Sequence, residues 1–315
     1  MLEKHSLLYD RLAFWKKTTP APRQERHKSL FPSLLKPLHP LTEPSLGPLL
    51  GRIGSLEVRL VTSRSQLRAA QRLRYRVFYK EMSARRKIIH LARGRDVDPF
   101  DAYCDHLIVV DNAAKPDRFM GERAKIVGTY RLLRQEIAER YRGFYSESEY
   151  VLDTLLGRHK ERRFLELGRS CVMEEYRTKR TVELLWHGIW TYVLHHKIDV
   201  MFGCASLEGT NLSALDEQLS LLCELGAPPP QWQVRARAEH YVPMGNRAAD
   251  FSRKRALGAL PPLIKGYLRL GAYISDGAVV DHAFGTTDVL IILPVENINP
   301  RYVSHYGENA GRYAA

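Results

Sequence analysis

From Leu56 onward, apolar runs of strand length alternate with stretches whose apolar residues recur at helical spacing, which excludes both an all-helical bundle and an all-β sandwich. LEVRLVT alternates as a strand, and SRSQLRAAQRLRYRVFYKE then sets Leu67, Ala70, Leu73 and Val77 on one helical stripe. Two short apolar runs follow, DHLIVVD and AKIVGTYRLL, joined by NAAKPDRFMGER, whose Pro and Gly suit a hairpin connection. RFLELGRSCV reads as the next strand. RTVELLWHGIWTYVLHHK carries Val182, Leu185, Trp186, Ile189 and Val193 on an amphipathic helical face, with DVMFGCASL as a buried strand beyond it. SALDEQLSLLCEL predicts a further helix closed at Gly226, and the last third holds the helix-like PPLIKGYLRLGA and the strand-like TTDVLIILPV. The expectation is one continuous α/β domain over about 55–315, a mixed central sheet with flanking helices.

Residues 1 to about 54 stand apart. Pro20, Pro22, Pro32, Pro37, Pro40, Pro44 and Pro48, seven of the 17 prolines, break every candidate helix there. This Pro-rich stretch is expected to be a flexible or loosely docked leader, with Leu30, Phe31, Leu34, Leu35, Leu49 and Leu50 available to a membrane surface or to the domain's own core.

The 48 Lys and Arg against 35 Asp and Glu give a formal charge of +13, which favours acidic partners: nucleic acid, an anionic membrane face or an acidic carrier protein. The cations are not interleaved with an aromatic platform and no nucleic-acid module is recognisable, so nucleic acid is not the expected partner. Cys104, Cys171, Cys204 and Cys223 show no CxxC spacing, which predicts reduced thiols in a cytosolic chain and no metal site. No secretory h-region and no uncharged apolar run of spanning length is present, so any membrane association is expected to be peripheral, on the inner face.

No phosphate loop, nucleophile elbow, HExxH or GxGxxG occurs. The most informative segment is RFLELGRSCVMEEYRTKRTVELL. Glu166 sits in a strand that otherwise reads as buried, and a buried carboxylate is costly unless it is paired or has a chemical task. Strand alternation sends Glu166 and Arg169 to opposite faces; a bulge at Gly168 would turn both toward one site. A buried pair of Glu166 with Arg169 or Arg131, without catalysis, satisfies the same spacing. Downstream, Arg177, Lys179 and Arg180 precede a helix whose N-terminal amides already favour an anion, so the alternatives are a phosphate-bearing ligand and a solvated basic turn.

In this order of elements the chain resembles the GNAT acyltransferase superfamily, in which acyl thioesters bind between two splayed central strands. LRYRVFYKEM, DVDPFD, IVGTYRLL and LELGRSCV resemble, in order, the pattern of acyl-homoserine-lactone synthases. Together with GCASLEGT and LPPLIKGYLRLGAYISDGAVVDHAFGTTDVLIILP, they resemble more closely the bacterial L-ornithine Nα-acyltransferases of ornithine-lipid synthesis, over about 56–306. The resemblance implies a GNAT-like fold, with Glu166 at the position of the proposed base and Arg74, Phe78, Asp98, Asp101, Arg131 and Arg169 at characteristic site positions. The synthases carry a tryptophan shortly after Phe78, where this chain has Arg85, Arg86 and Lys87, which disfavours a homoserine-lactone product. The general GNAT turn is glycine-rich, so that amides wrap a pyrophosphate. The stretch Arg177 to Val182 has no glycine, and the single phosphate of a carrier protein's phosphopantetheine fits it better than coenzyme A.

The implied reaction moves a 3-hydroxyacyl chain from acyl carrier protein to the α-amine of L-ornithine, giving a lyso-ornithine lipid with no resident cofactor. Glu166 takes the amine proton, and a backbone N–H near Ser170, Cys171 and Val172 holds the oxyanion. Cys171 reads as a structural thiol. Arg131 or Arg169 is a candidate clamp for the ornithine carboxylate, and Asp98, Asp101, Asp276 or Asp281 for its distal ammonium. A CoA-dependent acetyltransferase of the same fold is the main rival.

Overall fold

The computed structural model describes residues 46–81, 94–115, 125–245 and 251–299. The leader to residue 45 and the basic residues Arg85, Arg86, Lys87 and Arg93 lie outside them. In chain order the elements are β1 (Leu49–Ile53), β2 (Leu56–Leu60), α1 (Arg64–Tyr75), a π-helical turn (Arg76–Glu81), β3 (Asp105–Asp111), β4 (Lys125–Arg134), α2 (Gln135–Arg140), α3 (Asp153–Arg158), β5 (Phe164–Val172), α4 (Lys179–His195) and β6 (Val200–Glu208). Then follow α5 (Asp216–Leu225), α6 (Arg253–Ala259), α7 (Pro262–Arg269), β7 (Tyr273–Ile274), β8 (Val279–Asp281) and β9 (Thr286–Pro294). The strands form one mixed sheet in the order β1-β2-β3-β4-β5-β6-β9-β7, with β8 also on β9. Only the β5–β6 pair is parallel among these neighbours. The sheet takes in Leu49–Ile53, which the sequence placed at the end of the leader, and Leu50 is buried in the core.

Period-two alternation splits the central strands between two cores. On one face, Leu165 and Leu167 of β5, Met201 and Ala205 of β6, and Val289 and Ile291 of β9 pack with α1, α4 and α7. On the other, Phe164, Val200, Phe202, Leu290 and Ile292 pack around Leu152, Leu155 and Trp232. The buried stripe of α4 runs through Thr181, Leu184, Leu185, Gly188 and Tyr192, so the expected Val182 is rotated out and 47% exposed.

The central strands separate. β5 and β6 pair only at Phe164–Val200, Leu165–Met201 and Glu166–Phe202, and beyond that level both continue without a partner across the gap. Gly203 begins the divergence. A Cβ there would lie 2.1 Å from the Leu167 carbonyl oxygen, a backbone atom that cannot swing aside. Gly203→Ala is therefore expected to destabilise the fold by about 1–3 kcal/mol, the usual range for overpacking, measured by denaturant unfolding. An unchanged stability would mean that the strands separate without this close approach.

Candidate active site

Glu166 is the last residue of β5 paired with β6, 5% exposed and on the sheet face that otherwise carries Phe164 and Phe202. The 3-10 turn Tyr145–Ser148 directs its first amides at the carboxylate, and Phe144, edge-on to Phe202 with centroids 4.8 Å apart, anchors that turn. Oε2 accepts from the Tyr145 N–H at 2.7 Å; Oε1 accepts from the Ser146 N–H at 2.8 Å and the Ser146 hydroxyl at 2.5 Å. Among the described residues Glu166 makes no ion pair with Arg131 or Arg169, so the buried-pair alternative does not describe it. Burial pushes its carboxyl up, and the hydrogen bonds from Ser146 and Tyr145 oppose that effect without cancelling it. A carboxylate with a raised pKa and a spare lone pair on Oε2 can accept a proton from a neighbouring amine.

Beside it lies a network of three guanidinium groups and three carboxylates. Arg74, fully buried, bonds Asp101 through Nη1 at 2.9 Å and Nη2 at 2.6 Å, and its Nε lies 2.9 Å from Asp96. Arg131 lies 3.2 Å from Asp98 and 3.5 Å from Asp101, while Arg169 bonds Asp98 at 2.9 Å. Asp98 also caps the short 3-10 turn Pro99–Ala102, accepting from the Phe100 N–H at 2.7 Å. Burial raises the Asp98 carboxyl, but Arg131 and Arg169 more than offset it and hold it below the usual range. Asp98 and Asp101, candidates for a substrate ammonium, are thus engaged by the protein's own cations. Asp276 lies apart, paired with Arg235 at 3.4 Å and accepting from the Tyr241 hydroxyl.

A break in the β4–β5 register sends Arg169 to the Glu166 side. Arg131 faces Gly168 and Thr129 faces Cys171, so Arg169 and Ser170 fall in a bulge, and Arg169 has φ of 51°. A left-handed conformation in a side-chain-bearing residue costs on the order of 1–3 kcal/mol and persists only where its surroundings demand it. The sequence located this irregularity at Gly168; the left-handed residue is its neighbour. Once turned, the Arg169 guanidinium lies 4.9 Å from the ring centres of both Tyr145 and Phe284.

Through the gap between β5 and β6 runs a cavity of about 250 Å³. Its apolar lining, with Tyr130, Ala205, Leu263, Ile264 and Tyr267, belongs to the core face packed against α7. Its polar lining, with Arg131, Glu166, Arg169, Cys204, Asp281 and Asp288, comes from the opposite side. Phe78, edge-to-face with Phe284 at 5.8 Å, and Ser170 also border it. Cys171 instead enters the core, where burial pushes its thiol up to about 12, and Val172 pairs with Gly128. α4 begins at Lys179, with the Thr178 side chain accepting from the Thr181 N–H. Arg177 bonds the Val172 carbonyl and Glu81, whereas Lys179 is 89% exposed and Arg180 faces solvent.

Sequence reasoning missed Tyr145, Tyr130, Tyr267, Asp96, Glu149 and Asp288. Only Asp288 carried a readable signal, as a carboxylate inside the apolar run TTDVLIILP, the same signal that singled out Glu166. The hydroxyls of Tyr130 and Tyr267 meet at 3.0 Å from 137 positions apart, a contact no local pattern predicts.

A mixed sheet whose central parallel strands part around a carboxylate defines a GNAT acyltransferase, and a family model described as an acetyltransferase (GNAT) domain matches residues 73–187. The L-ornithine N(alpha)-acyltransferase of Brucella abortus (strain 2308) is 53% identical over 266 residues, 84% of this chain and 93% of that protein. The protein of that name from Rhodobacter capsulatus is 38% identical over 252 residues, 80% and 95% of the two chains. Among solved structures, FeeM, an N-acyl amino acid synthase from uncultured soil microbes, aligns over 76% of this chain and 91% of its own with a TM-score of 0.43 and 11% identity. The chain belongs to the L-ornithine Nα-acyltransferase family.

Proposed function

We propose that this enzyme transfers a 3-hydroxyacyl chain from acyl carrier protein to the α-amine of L-ornithine, forming a lyso-ornithine lipid. The observation that carries the reading is the two-sided cavity: an apolar half suited to an acyl chain and a polar half that receives a zwitterion, with Glu166 at their junction. Arg169 takes the ornithine carboxylate, since its side chain is more exposed than that of Arg131 and its bonds to Asp98 and Tyr145 both use Nη2. Glu166 Oε2 accepts the α-ammonium proton and frees the lone pair that attacks the thioester. The Ser170 N–H, in the bulge between Gly168 and Cys171, stabilises the oxyanion. The N–C bond forms, the C–S bond breaks, and the departing thiolate takes up a proton. Cys171 forms no acyl-enzyme.

The donor phosphate docks at the start of α4, where free amides, Lys179 and Arg180 favour an anion. Reversing Lys179 and Arg180 to glutamate retains the helix, because acidic residues suit a helix N-terminus. The double variant is expected to raise KM for acyl carrier protein by about tenfold or more and to leave KM for ornithine within about twofold. Steady-state assays with acyl carrier protein and the matching acyl-CoA check this, and equal efficiency with both donors would return the enzyme to the CoA-using rivals.

The amphiphilic product and the basic charge support peripheral binding to an anionic membrane surface. Among the described residues no helix is long and apolar enough to cross a membrane. High salt is expected to release the protein from membranes; retention through both salt and alkaline carbonate would contradict this.

A further inference from the structure

The proposed chemistry uses neither Asp288, which lines the polar half of the cavity, nor Glu149, which stands behind that wall against the lining residue Cys204. Asp288 projects from β9 on the face of Leu290 and Ile292, directly across the ladder from Ser206, and borders the cavity. It is 8% exposed, and its Oδ1 is buried without a hydrogen-bond partner among the described residues. Glu149 approaches from the loop before α3, and its Oε2 accepts from the Cys204 thiol at 3.4 Å. Among the described residues no Lys, Arg or His side chain forms an ion pair with either acid. This contrasts with the network a few residues away, where three carboxylates meet three guanidinium groups. Two neighbouring carboxyl groups in a largely buried site, with no ion-pair partner among the described residues, favour a cation from outside.

The position suits one end of a diamino acid. Cys204 lies two residues beyond Phe202, the partner of Glu166, so the Glu149 carboxyl meets β6 roughly 7 Å along the strand from the level of the catalytic carboxylate. A three-methylene side chain covers such a separation.

We propose that Asp288 and Glu149 form the subsite for the distal ammonium of the amino-acid acceptor, making the enzyme selective for an α-amino acid with a second, cationic amine. The inference rests on the proposed ornithine acylation and names what selects ornithine within it. Facing the pair are Cys204 and the Ser206 hydroxyl on β6, Thr286 on β9, Asp281 at the end of β8, Tyr145 and Tyr150 beside the loop, and Arg169 on β5, whose charge lowers both acids without forming an ion pair with either. Burial and the neighbouring acid push the Glu149 carboxyl up to about 7, and burial pushes Asp288 up to about 6. Both are expected to ionise more readily once an ammonium lies between them.

The test compares kcat/KM for ornithine and for norvaline, its isostere without the distal amine. Wild-type enzyme is expected to prefer ornithine by about 100-fold or more. Asp288→Asn is expected to reduce that preference below about tenfold through KM for ornithine, with norvaline efficiency retained as the internal control of folding. Glu149→Gln serves as the second variant with the same expected direction. In unaltered enzyme, KM for ornithine but not for norvaline is expected to rise as pH falls from about 8 to about 5.5, because both carboxyls lose charge in that window. An ornithine-to-norvaline ratio that neither the variants nor pH moves would overturn the subsite while leaving ornithine acylation intact. Wild-type enzyme that acylates no ornithine would overturn the reaction and the subsite together.

Discussion

Glu166→Gln is expected to lower kcat by about 100-fold or more, measured at donor and ornithine saturation across the working pH range. Glutamine keeps the shape but offers one acceptor oxygen where the carboxylate offers two, so its amide nitrogen must face the Tyr145 N–H or the Ser146 donors. A stability loss of about 1–3 kcal/mol should accompany the kinetic one. In wild-type enzyme, activity should fall as pH drops through a carboxyl titration lying above the ordinary range, because burial raises Glu166 and the ionised form is the base. For stability the sign is opposite: the folded chain ionises this group less readily than the unfolded one. Its contribution therefore declines as pH rises from about 4.3 through the folded value. Ser146→Ala removes a hydrogen bond that favours the charged form and should move the acid limb of kcat further up. Wild-type turnover in Glu166→Gln would remove Glu166 as the base.

Asp101→Asn should be the most destabilising of the conservative changes, costing about 3–5 kcal/mol in denaturant unfolding. It leaves the fully buried Arg74 without its bidentate partner and sets three guanidinium groups against two carboxylates. Gln71, whose side-chain amide donates to Asp101 at 2.9 Å, and the Asp98 N–H lose an ionised acceptor as well. Burial pushes the Asp101 carboxyl up, but Arg74 more than offsets it and holds the group far below the usual range. The stabilisation is therefore present above the unfolded value of about 3.9 and is lost only as pH falls through the lowered folded one. A variant as stable as wild type at neutral pH would mean that the network is energetically dispensable.

Arg74, Asp98, Asp101 and Arg131 carry family resemblance in the sequence, yet what they do emerges only from their mutual geometry. They brace the wall of the site on which Arg169 turns outward. The order of strands and helices was legible because each buries one face, and period two or 3.6 is written in the apolar residues. Glu166 was legible as a charge inside an apolar strand. The Arg169 backbone was not: the sequence points to a bulge at the adjacent Gly168, whereas the left-handed residue is Arg169, which carries a side chain and adopts that conformation only at a cost. Glu149 lies in the polar run SESEY, where an acidic residue carries no signal, and only the return of β6 and β9 beside it marks it out. Contacts between segments far apart in sequence are set by packing, and no local pattern encodes them.

The proposed reaction is transfer to the α-nitrogen of ornithine from a carrier-bound acyl chain. Purified enzyme, 3-hydroxyacyl carrier protein and ornithine labelled with ¹⁵N only at the α-amine test it directly, with tandem mass spectrometry of the product. The expected result is a lyso-ornithine lipid whose amide nitrogen carries the label. An amide formed at the unlabelled distal nitrogen, or no acylated ornithine at all, would rule this reaction out.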